Sequence, residues 1–263
     1  MTDSTLIAMT LRKHGFVHAR LTQVLPGHPV FTDGMVYIKQ HSDPTAFHLE
    51  DSLYARLHGG TSSIPGELLL ITKNAGEHFY PTSSLVHAMF EELARFHALE
   101  IAAPEIDLQK RVYEKLDSRV LRNPAIKDDT KQWLDEFVNA KLSFEWHEGV
   151  SGLVHTDPHL GNWVKRDGRV SLIDFESVAK GPFAVDAGAL IHTFLLRNEI
   201  PLATLVRSMY LDRGGSSEAL YQGMWLKTST AFTWCAKNLG ENELLKRRDE
   251  LLPIMNAWEC TDS

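Results

Sequence analysis

The spacing of apolar residues changes once along this chain, and that change limits the folds it can adopt. Residues 17–40 are rich in β-forming residues, and the Asp33-Gly34 pair within them is a strong signal for a hairpin turn. Residues 44–58 instead place their apolar side chains at helical spacing. Residues 66–72, GELLLIT, form a short apolar run that is typical of a buried strand. The first 72 residues therefore predict a small sheet with one helix.

The rest of the chain is mainly helical in pattern. Helical spacing covers residues 83–99, 127–146 and most of the chain after Pro182. Between these helices, residues 153–174 contain extended segments that turn at Asp167-Gly168. We therefore expect an α+β, bilobal fold. Residues 1–72 form its small β-rich N-lobe with one helix, and residues 73–263 form its larger, mainly helical C-lobe.

Composition excludes several classes of function. The formal net charge of −7 is unfavourable for binding nucleic acids or anionic membranes, which require a basic face, so neither partner is expected. No apolar run approaches the roughly 18–20 residues that span a membrane, and the N-terminus lacks a signal-peptide pattern. The chain has two cysteines, Cys235 and Cys260, and one disulfide bond could not stabilise a fold of this size. A cytoplasmic location is the expectation.

The stretch VHTDPHLGNW, residues 154–163, concentrates chemically active side chains. Asp157 precedes Asn162 by five residues, and Asp174 follows at the end of the apolar strand VSLID. A hairpin turned at Asp167-Gly168 would bring Asn162 and Asp174 close together. Their oxygens are the hard ligands that Mg²⁺ prefers, alongside water and phosphate. Asp157 would then face whatever the metal holds, which is a layout suited to phosphoryl transfer.

A histidine metal site is the alternative interpretation of the same stretch. His155 and His159 are four residues apart, but no glutamate lies between them and no third histidine follows at zinc spacing. The combination of His-x-Asp, an asparagine five residues later and an apolar strand ending in aspartate is much harder to obtain by chance. The pattern therefore favours the phosphoryl-transfer interpretation.

In this order, Asp-x4-Asn-x11-Asp, the sequence resembles the aminoglycoside phosphotransferase and choline kinase family, the kinase-like small-molecule phosphotransferases. HTDPHLGN resembles the family's catalytic loop, and LIDFE resembles its metal-binding strand. Upstream, VYIK resembles its lysine strand, FHLEDSLYARL its second helix, and LLLITKNAG its hinge strand. The resemblance covers about residues 15–190 and leaves a helical C-terminal part unmatched.

The resemblance implies roles for individual residues. Asp157 is the catalytic base, or orients the acceptor hydroxyl, while Asn162 and Asp174 hold Mg²⁺ at the phosphates of ATP. Lys39 neutralises the α- and β-phosphates and is positioned by Glu50.

Further residues are implied in binding and support. Thr72 and Asn74 belong to the segment whose backbone contacts adenine. His155 and Asp186 brace the catalytic loop. The loop LPGHPVF takes the place of a G-x-G-x-x-G phosphate loop, which that family often lacks.

The implied reaction is transfer of the ATP γ-phosphate to a hydroxyl of a small molecule. Family resemblance favours an aminoglycoside or related antibiotic, and thus a part in antibiotic resistance; choline, amino sugars and fructosamine-type acceptors are alternatives. A catalytically silent, kinase-like binding protein is a further alternative, which the intact set of motif residues argues against. A cationic acceptor could be bound by carboxylates, with Glu176 and Asp212 as candidates, or by aromatic residues among Tyr210, Tyr221, Trp225 and Trp234. The sequence leaves open this choice, ATP versus GTP, and the oligomeric state.

Overall fold

The computed structural model of the protein describes residues 3–15, 21–24, 30–33, 35–59, 61–73, 76–146 and 152–259. The chain forms two compact units. The first comprises Met1–Glu77, Val164–Gly168 and Ile173–Ser177, and the second comprises His78–Trp163, Arg169–Leu172 and Val178–Ser263. The sequence analysis predicted a single division at residue 72, whereas the chain passes several times from one unit to the other.

A five-stranded antiparallel sheet forms most of the first unit, in the order β1-β2-β3-β5-β4. Its strands are β1 Thr22–Gln23, β2 Val30–Thr32, β3 Val36–Gln40, β4 Ser62–Ile64 and β5 Leu69–Lys73. The central strand β3 pairs Lys39 with Val30 of β2 on one side and with Leu70 of β5 on the other. Lys39 is therefore held in the middle of the sheet, where its backbone cannot shift independently.

The hairpin between β2 and β3 confirms the turn predicted at Asp33-Gly34. Asp33 Oδ1 accepts hydrogen bonds from the backbone N–H groups of Met35, at 2.9 Å, and Val36, at 3.1 Å. An aspartate that bonds the backbone two residues ahead closes such a turn through its own side chain. Gly34 itself lies outside the described residues.

One face of this sheet is covered by helix α1, Asp3–Lys13, which the sequence analysis did not predict. Ile7 and Leu11 on α1 pack into an apolar cluster with Phe31 of β2 and Ile38 of β3, and all four are buried. The apolar face of α1 is only about one turn long in sequence. Its helical state depends on packing against the sheet, because short helices are marginal in isolation.

Helix α2, Pro44–His58, has the bounds that its sequence predicts. Asp43 caps its start by accepting a hydrogen bond from Thr45 N at 2.9 Å, and Pro44 occupies the first helical position. Gly59 ends the helix with a φ of 76°, the left-handed conformation that glycine adopts without strain. These local signals alone determine where the helix begins and ends.

The second unit is built from helices. They are α3 Ser83–His97, α4 Leu108–Leu116, α5 Asp128–Leu142, α6 Ala184–Leu196, α7 Ile200–Asp212, α8 Ser217–Asn238 and α9 Glu241–Glu259. A π-helical turn, Asp117–Leu121, continues α4. Helix α6 is buried along its length against α8; a Cβ on Gly188 would meet the backbone of Gly223 and Met224. Among the described residues, no helix has both the length and the apolar character needed to cross a membrane.

Short strands position the loops of interest. They are β6 Gly152–Val154, β7 Trp163–Arg166, β8 Arg169–Leu172 and β9 Ala179–Gly181. Strand β6 pairs antiparallel with β9 through Leu153 and Lys180, so the segment after β6 and the start of α6 leave from the same small sheet. Asp167 and Gly168 have positive φ values of 50° and 78°, as the predicted turn between β7 and β8 requires.

Candidate active site

Lys39 lies at the centre of a cluster of charges in the first unit. Its Nζ is 3.0 Å from Glu50 Oε2 on α2 and 2.6 Å from Asp174 Oδ1, in the segment that follows β8. Glu176 Oε2 is also 3.0 Å away. The structure thus brings Lys39 and Glu50, predicted to act at the phosphates, together with Asp174, predicted as a Mg²⁺ ligand. It adds Glu176, a predicted candidate for binding the acceptor.

The Lys39 ammonium is retained in spite of its burial. Burial by itself lowers the pKa of Lys39, but the charges of Glu50, Asp174 and Glu176 together raise it above its ordinary value. The side chain is only 14% exposed, so it keeps one orientation and one charge state. A lysine held in this way presents a fixed positive charge without first having to be ordered.

Glu50 fixes the Asp174 segment as well as Lys39. Its carboxylate is 1% exposed, lies 3.1 Å from His41 Nε2, and accepts a hydrogen bond from Phe175 N at 3.2 Å. The hydroxyl oxygen of Tyr54, one turn further along α2, accepts a hydrogen bond from Asp174 N at 3.3 Å. Burial, and then the charge of Glu50, raise the pKa of Tyr54, which keeps its hydroxyl neutral.

Asp174 is held in an uncommon backbone conformation. Its φ is 67°, a value that costs a non-glycine residue about 1–3 kcal/mol and persists only where surrounding contacts enforce it. Tyr54 and Glu50 supply those contacts through the N–H groups of Asp174 and Phe175. The side chain of Asp174 remains 43% exposed, so its second oxygen is open to a ligand.

The predicted catalytic loop lies in the second unit, directly after β6. The carboxylate of Asp186, in the first turn of α6, accepts hydrogen bonds from His155 N at 2.7 Å and Thr156 N at 2.8 Å. Thr156 has a positive φ of 67°. His155 is fully buried and packs edge-on against Phe96 of α3. Asp186 therefore holds the strained backbone immediately before Asp157, and His155 anchors it in the core.

Replacing Asp186 with asparagine should loosen this loop. The two N–H groups bond different oxygens of the carboxylate, so in asparagine one of them would face the NH₂ donor. We therefore expect a loss of about 1–3 kcal/mol in the free energy of unfolding. Urea denaturation measures the loss, and Asp167→Asn, at a side chain that is 92% exposed, is the matched control. Equal stability of the two variants would contradict this role of Asp186.

The Asp186 carboxyl is itself unusual in its titration. Its pKa is raised to about 7, because the upward effect of complete burial outweighs the downward effect of the two N–H donors. The N–H groups of His155 and Thr156 stabilise the buried carboxylate of Asp186, which would otherwise be a costly unpaired charge.

The end of the loop is fixed by hydrogen bonds to its own backbone. Asn162, in a short 3₁₀ turn, Leu160–Asn162, donates from Nδ2 to Asp157 O at 2.9 Å. Trp163 Nε1 donates to Pro158 O at 3.0 Å. Because the amide nitrogen of Asn162 is used in this way, its Oδ1 is turned away from the loop as an acceptor. The hydrogen bond fixes the buried Asn162 against the backbone of Asp157, and its role as an oxygen ligand stays a prediction.

The residues fit a divalent cation of the Mg²⁺ type. Asp174 Oδ2, in the first unit, is a hard oxygen, and Mg²⁺ is commonly bound by one or two protein ligands together with water and phosphate. Asn162 as a second ligand stays a prediction from the sequence. Within the described ranges, no group of three or more His, Cys, Asp or Glu residues could hold a metal ion.

One functional side chain was missed by the sequence analysis. Lys227 of α8 forms a hydrogen-bonded ion pair with Asp157, and its side chain is only 12% exposed. Burial raises the pKa of Asp157, but Lys227 and then His159 lower it, so that the net shift is downward. Lys227 is the only charged residue between Glu218 and Lys237, in a segment with large apolar residues. An isolated lysine of this kind was the signal in the sequence that could have indicated a buried, paired side chain.

The remaining predicted site residues are placed as follows. Thr72 lies on β5, opposite Tyr37 of β3, while Asn74 lies outside the described residues. Glu176 is paired with Lys39, as described above. Asp212 is the last residue of α7 and is exposed. The structure gives no contact that links Asp212 to the catalytic loop.

Comparison with solved structures identifies the fold. The chain superimposes on the aminoglycoside phosphotransferase APH(4)-Ia with a TM-score of 0.68 and 15% identity, covering 97% of this chain and 99% of that one. The choline kinase LicA from Streptococcus pneumoniae gives 0.60 and 14%, with 96% and 98% covered. The amicoumacin kinase hAmiN, in complex with AMP-PNP, Ca²⁺ and Ami, gives 0.62 and 14%, with 95% and 96% covered. At these identities the similarity shows the fold, and the predicted kinase-like α+β fold is confirmed.

Sequence comparison identifies the family. No curated protein sequence matches the chain. The family model described as "APH: Phosphotransferase enzyme family" matches residues 37–224, a range that begins just before Lys39 and contains Glu50, Asp157, Asn162 and Asp174. The resemblance drawn from the motifs is thereby confirmed, and the chain belongs to this phosphotransferase enzyme family.

Proposed function

We propose that this protein transfers the γ-phosphate of ATP to a hydroxyl of a small molecule. The observation that carries the proposal is the Lys39 ammonium fixed between Glu50 and Asp174, at 3.0 and 2.6 Å. A triphosphate requires an ordered cation next to a carboxylate that can bind a metal, and phosphoryl transfer depends mainly on such positioning and charge stabilisation. Solved proteins of this fold include complexes with ADP and hygromycin B and with AMP-PNP.

In this mechanism each unit contributes one part. Residues of the first unit, predicted as the nucleotide-binding lobe 1–72, bind the phosphates through Lys39. Asp157 of the second unit accepts a hydrogen bond from the acceptor hydroxyl and orients its lone pair for attack. It takes up the proton as the acceptor oxygen bonds to the γ-phosphorus, while the bond from that phosphorus to the β,γ-bridging oxygen breaks and ADP leaves. Asn162 and Asp174 would hold Mg²⁺, which neutralises charge on the phosphates when it is bound.

The experiment is a screen for ATP consumption with Mg²⁺ over a panel of acceptors, followed by mass spectrometry of the product. We expect one acceptor to gain 80 Da and to stimulate ATP consumption. GTP is tested in parallel. The predicted acceptor class, an aminoglycoside or related antibiotic, stays a prediction that this panel tests, together with choline, amino sugars and fructosamine-type compounds. Failure of ATP to bind in the presence of Mg²⁺ would refute the proposal.

Replacing Asp174 with asparagine should weaken the dependence of nucleotide binding on Mg²⁺. The amide is a neutral and poorer ligand for a hard cation than the carboxylate, and it also weakens the ion pair with Lys39. We expect the Mg²⁺ concentration needed for half-maximal ATP binding to rise by about tenfold or more, a change of roughly 1.4 kcal/mol. Titration calorimetry with ATP at several Mg²⁺ concentrations measures this, and an unchanged Mg²⁺ dependence would remove Asp174 from the metal site.

A further inference from the structure

The surroundings of Asp157 in the second unit are strongly cationic. Lys227 pairs with Asp157 from α8. Arg111 and Lys115 on α4, and Arg119 on the π-helical turn that continues it, follow one another at intervals of four residues and are all half-buried. This spacing places the three on one side of the helix, and α4 and its π-turn both pack against α8.

Electrostatic interactions connect the three residues to the catalytic loop. The pKa of Lys115 is lowered to about 8 by burial first, and then by the charges of Arg111, Arg119 and Lys227, against the opposing effect of Asp157. Four charged groups therefore act on Lys115, three of them cationic and one a carboxylate. Because Lys227 already neutralises Asp157, the charges of Arg111, Lys115 and Arg119 are left uncompensated.

No carboxylate of the described residues is paired with these three side chains. Acidic neighbours on the same helical segment are engaged elsewhere: Glu114 lies 4.0 Å from Lys110, and Asp117 is bonded to Arg122. His192, which is also near Lys227 and Asp157, is buried, and burial and Lys227 lower its pKa to about 3, so it is neutral. Placing like charges together out of water is unfavourable unless an anion joins them.

Two of the features expected for a cationic acceptor are engaged by other residues. Of the two acidic candidates, Glu176 is paired with Lys39, whereas Asp212 is exposed at the end of α7. Among the aromatic candidates, Trp225 already has Lys141 3.8 Å above its ring. A cation near Asp157 would be repelled by the neighbouring charges of Lys227 and Lys115.

We propose that the acceptor carries an anionic group, a carboxylate or a phosphate, beside the hydroxyl that is phosphorylated, and that Arg111, Lys115 and Arg119 bind this group. The inference rests on the proposed function and specifies its substrate class. Lys227 shields the Asp157 carboxylate, so that an anionic molecule can approach it without repulsion. Asp157 contacts the hydroxyl that is phosphorylated, while the three cations of the α4 segment bind the anionic group of the same molecule.

The test uses four sugars with a common ring and different charge: glucuronate, glucose 6-phosphate, glucose and glucosamine. Their dissociation constants are measured by calorimetry with the full-length protein saturated with AMP-PNP and Mg²⁺. We expect glucuronate or glucose 6-phosphate to bind at least about tenfold more tightly than glucose, the effect of one charge-assisted hydrogen bond, and glucosamine to bind most weakly. Equal affinity for all four, including no detectable binding, or preference for glucosamine, would overturn the inference.

Variants separate acceptor binding from nucleotide binding. Lys115→Gln and Arg119→Gln should each weaken binding of the anionic sugar by about tenfold or more and leave the dissociation constant for AMP-PNP unchanged. Lys110→Gln, on the same helix at a side chain that is 71% exposed, is the matched control and should change neither constant. Weakened AMP-PNP binding in Lys115→Gln and Arg119→Gln would mean that these cations serve the triphosphate, which would overturn the inference.

The two proposals fail in different ways. If AMP-PNP with Mg²⁺ does not bind, the proposed function is wrong and the inference falls with it. If AMP-PNP binds and the acceptor screen finds that only neutral or cationic molecules are phosphorylated, the proposed function stands and the inference alone is overturned. Phosphorylation of a carboxylate- or phosphate-bearing alcohol supports both.

Discussion

Replacing Asp157 with alanine should lower turnover by about 10²–10⁴-fold, the range measured when a positioned general base is removed. No other carboxylate of the described residues is bonded to Lys227 or lies in the loop between β6 and the 3₁₀ turn, so the acceptor hydroxyl would lose its proton acceptor. ATP binding should survive, because Lys39, Glu50 and Asp174 belong to the other compact unit. Steady-state kinetics with the acceptor found in the screen, and calorimetry with AMP-PNP, measure the two effects separately.

Two controls make this result interpretable. Asp128→Ala removes a carboxylate from the start of α5, where the side chain is fully exposed, and should leave turnover unchanged. Asp157→Ala also leaves Lys227 without its partner, so thermal unfolding of the variant must be measured beside its kinetics. A stable, folded Asp157→Ala protein that turns over at near the parent rate would show that Asp157 is not the group that activates the hydroxyl.

Replacing Lys39 with methionine is expected to have the second largest effect. Methionine retains a comparable length while removing the charge, so the α- and β-phosphates lose their fixed cation. Loss of a single preorganised electrostatic contact costs about 10²–10³-fold in turnover. The change also leaves Glu50, Asp174 and Glu176 close together without the ammonium that separates them. Breaking a buried ion pair by removing one partner costs about 3–5 kcal/mol, so the melting temperature should fall as well.

Kinetics and thermal unfolding test both parts of this prediction. Lys13→Met, at an exposed position of α1, is the matched control for loss of a lysine from the same unit. Glu50→Gln offers a second comparison, because it removes the partner of Lys39 without removing the cation. If Lys39→Met retained parent turnover, the triphosphate would have to be bound elsewhere, and the charge cluster would be a feature of stability alone.

Local signals explain the parts of the fold that the sequence predicts well. The bounds of α2 follow from Asp43, Pro44 and Gly59, residues that act on the backbone directly beside them. The turn at Asp33 follows from its hydrogen bonds to Met35 N and Val36 N. In each case the interacting groups lie within a few residues of one another, so both partners can be identified from a short stretch of sequence.

Elements that depend on distant packing were missed or misjudged. Helix α1 has a narrow apolar face, and only its burial with Phe31 and Ile38 accounts for it. Helix α4 and its π-helical turn gave no strong periodic signal, and their apolar residues are buried against the surrounding helices. The two compact units could not be bounded by reading along the chain either, because residues 164–168 and 173–177 join the first unit from far downstream.

The sequence by itself determined the family and the identity of the motif residues, because Asp157, Asn162 and Asp174 must lie at set spacings around short loops for the loop geometry to form. Tertiary structure alone decided which charges surround them. It paired Lys227 with Asp157 across 70 residues of chain, and it placed Glu176 beside Lys39. The physical reason is that side chains on separate helices and strands acquire neighbours only when those elements pack, and charge interacts through space rather than along the sequence.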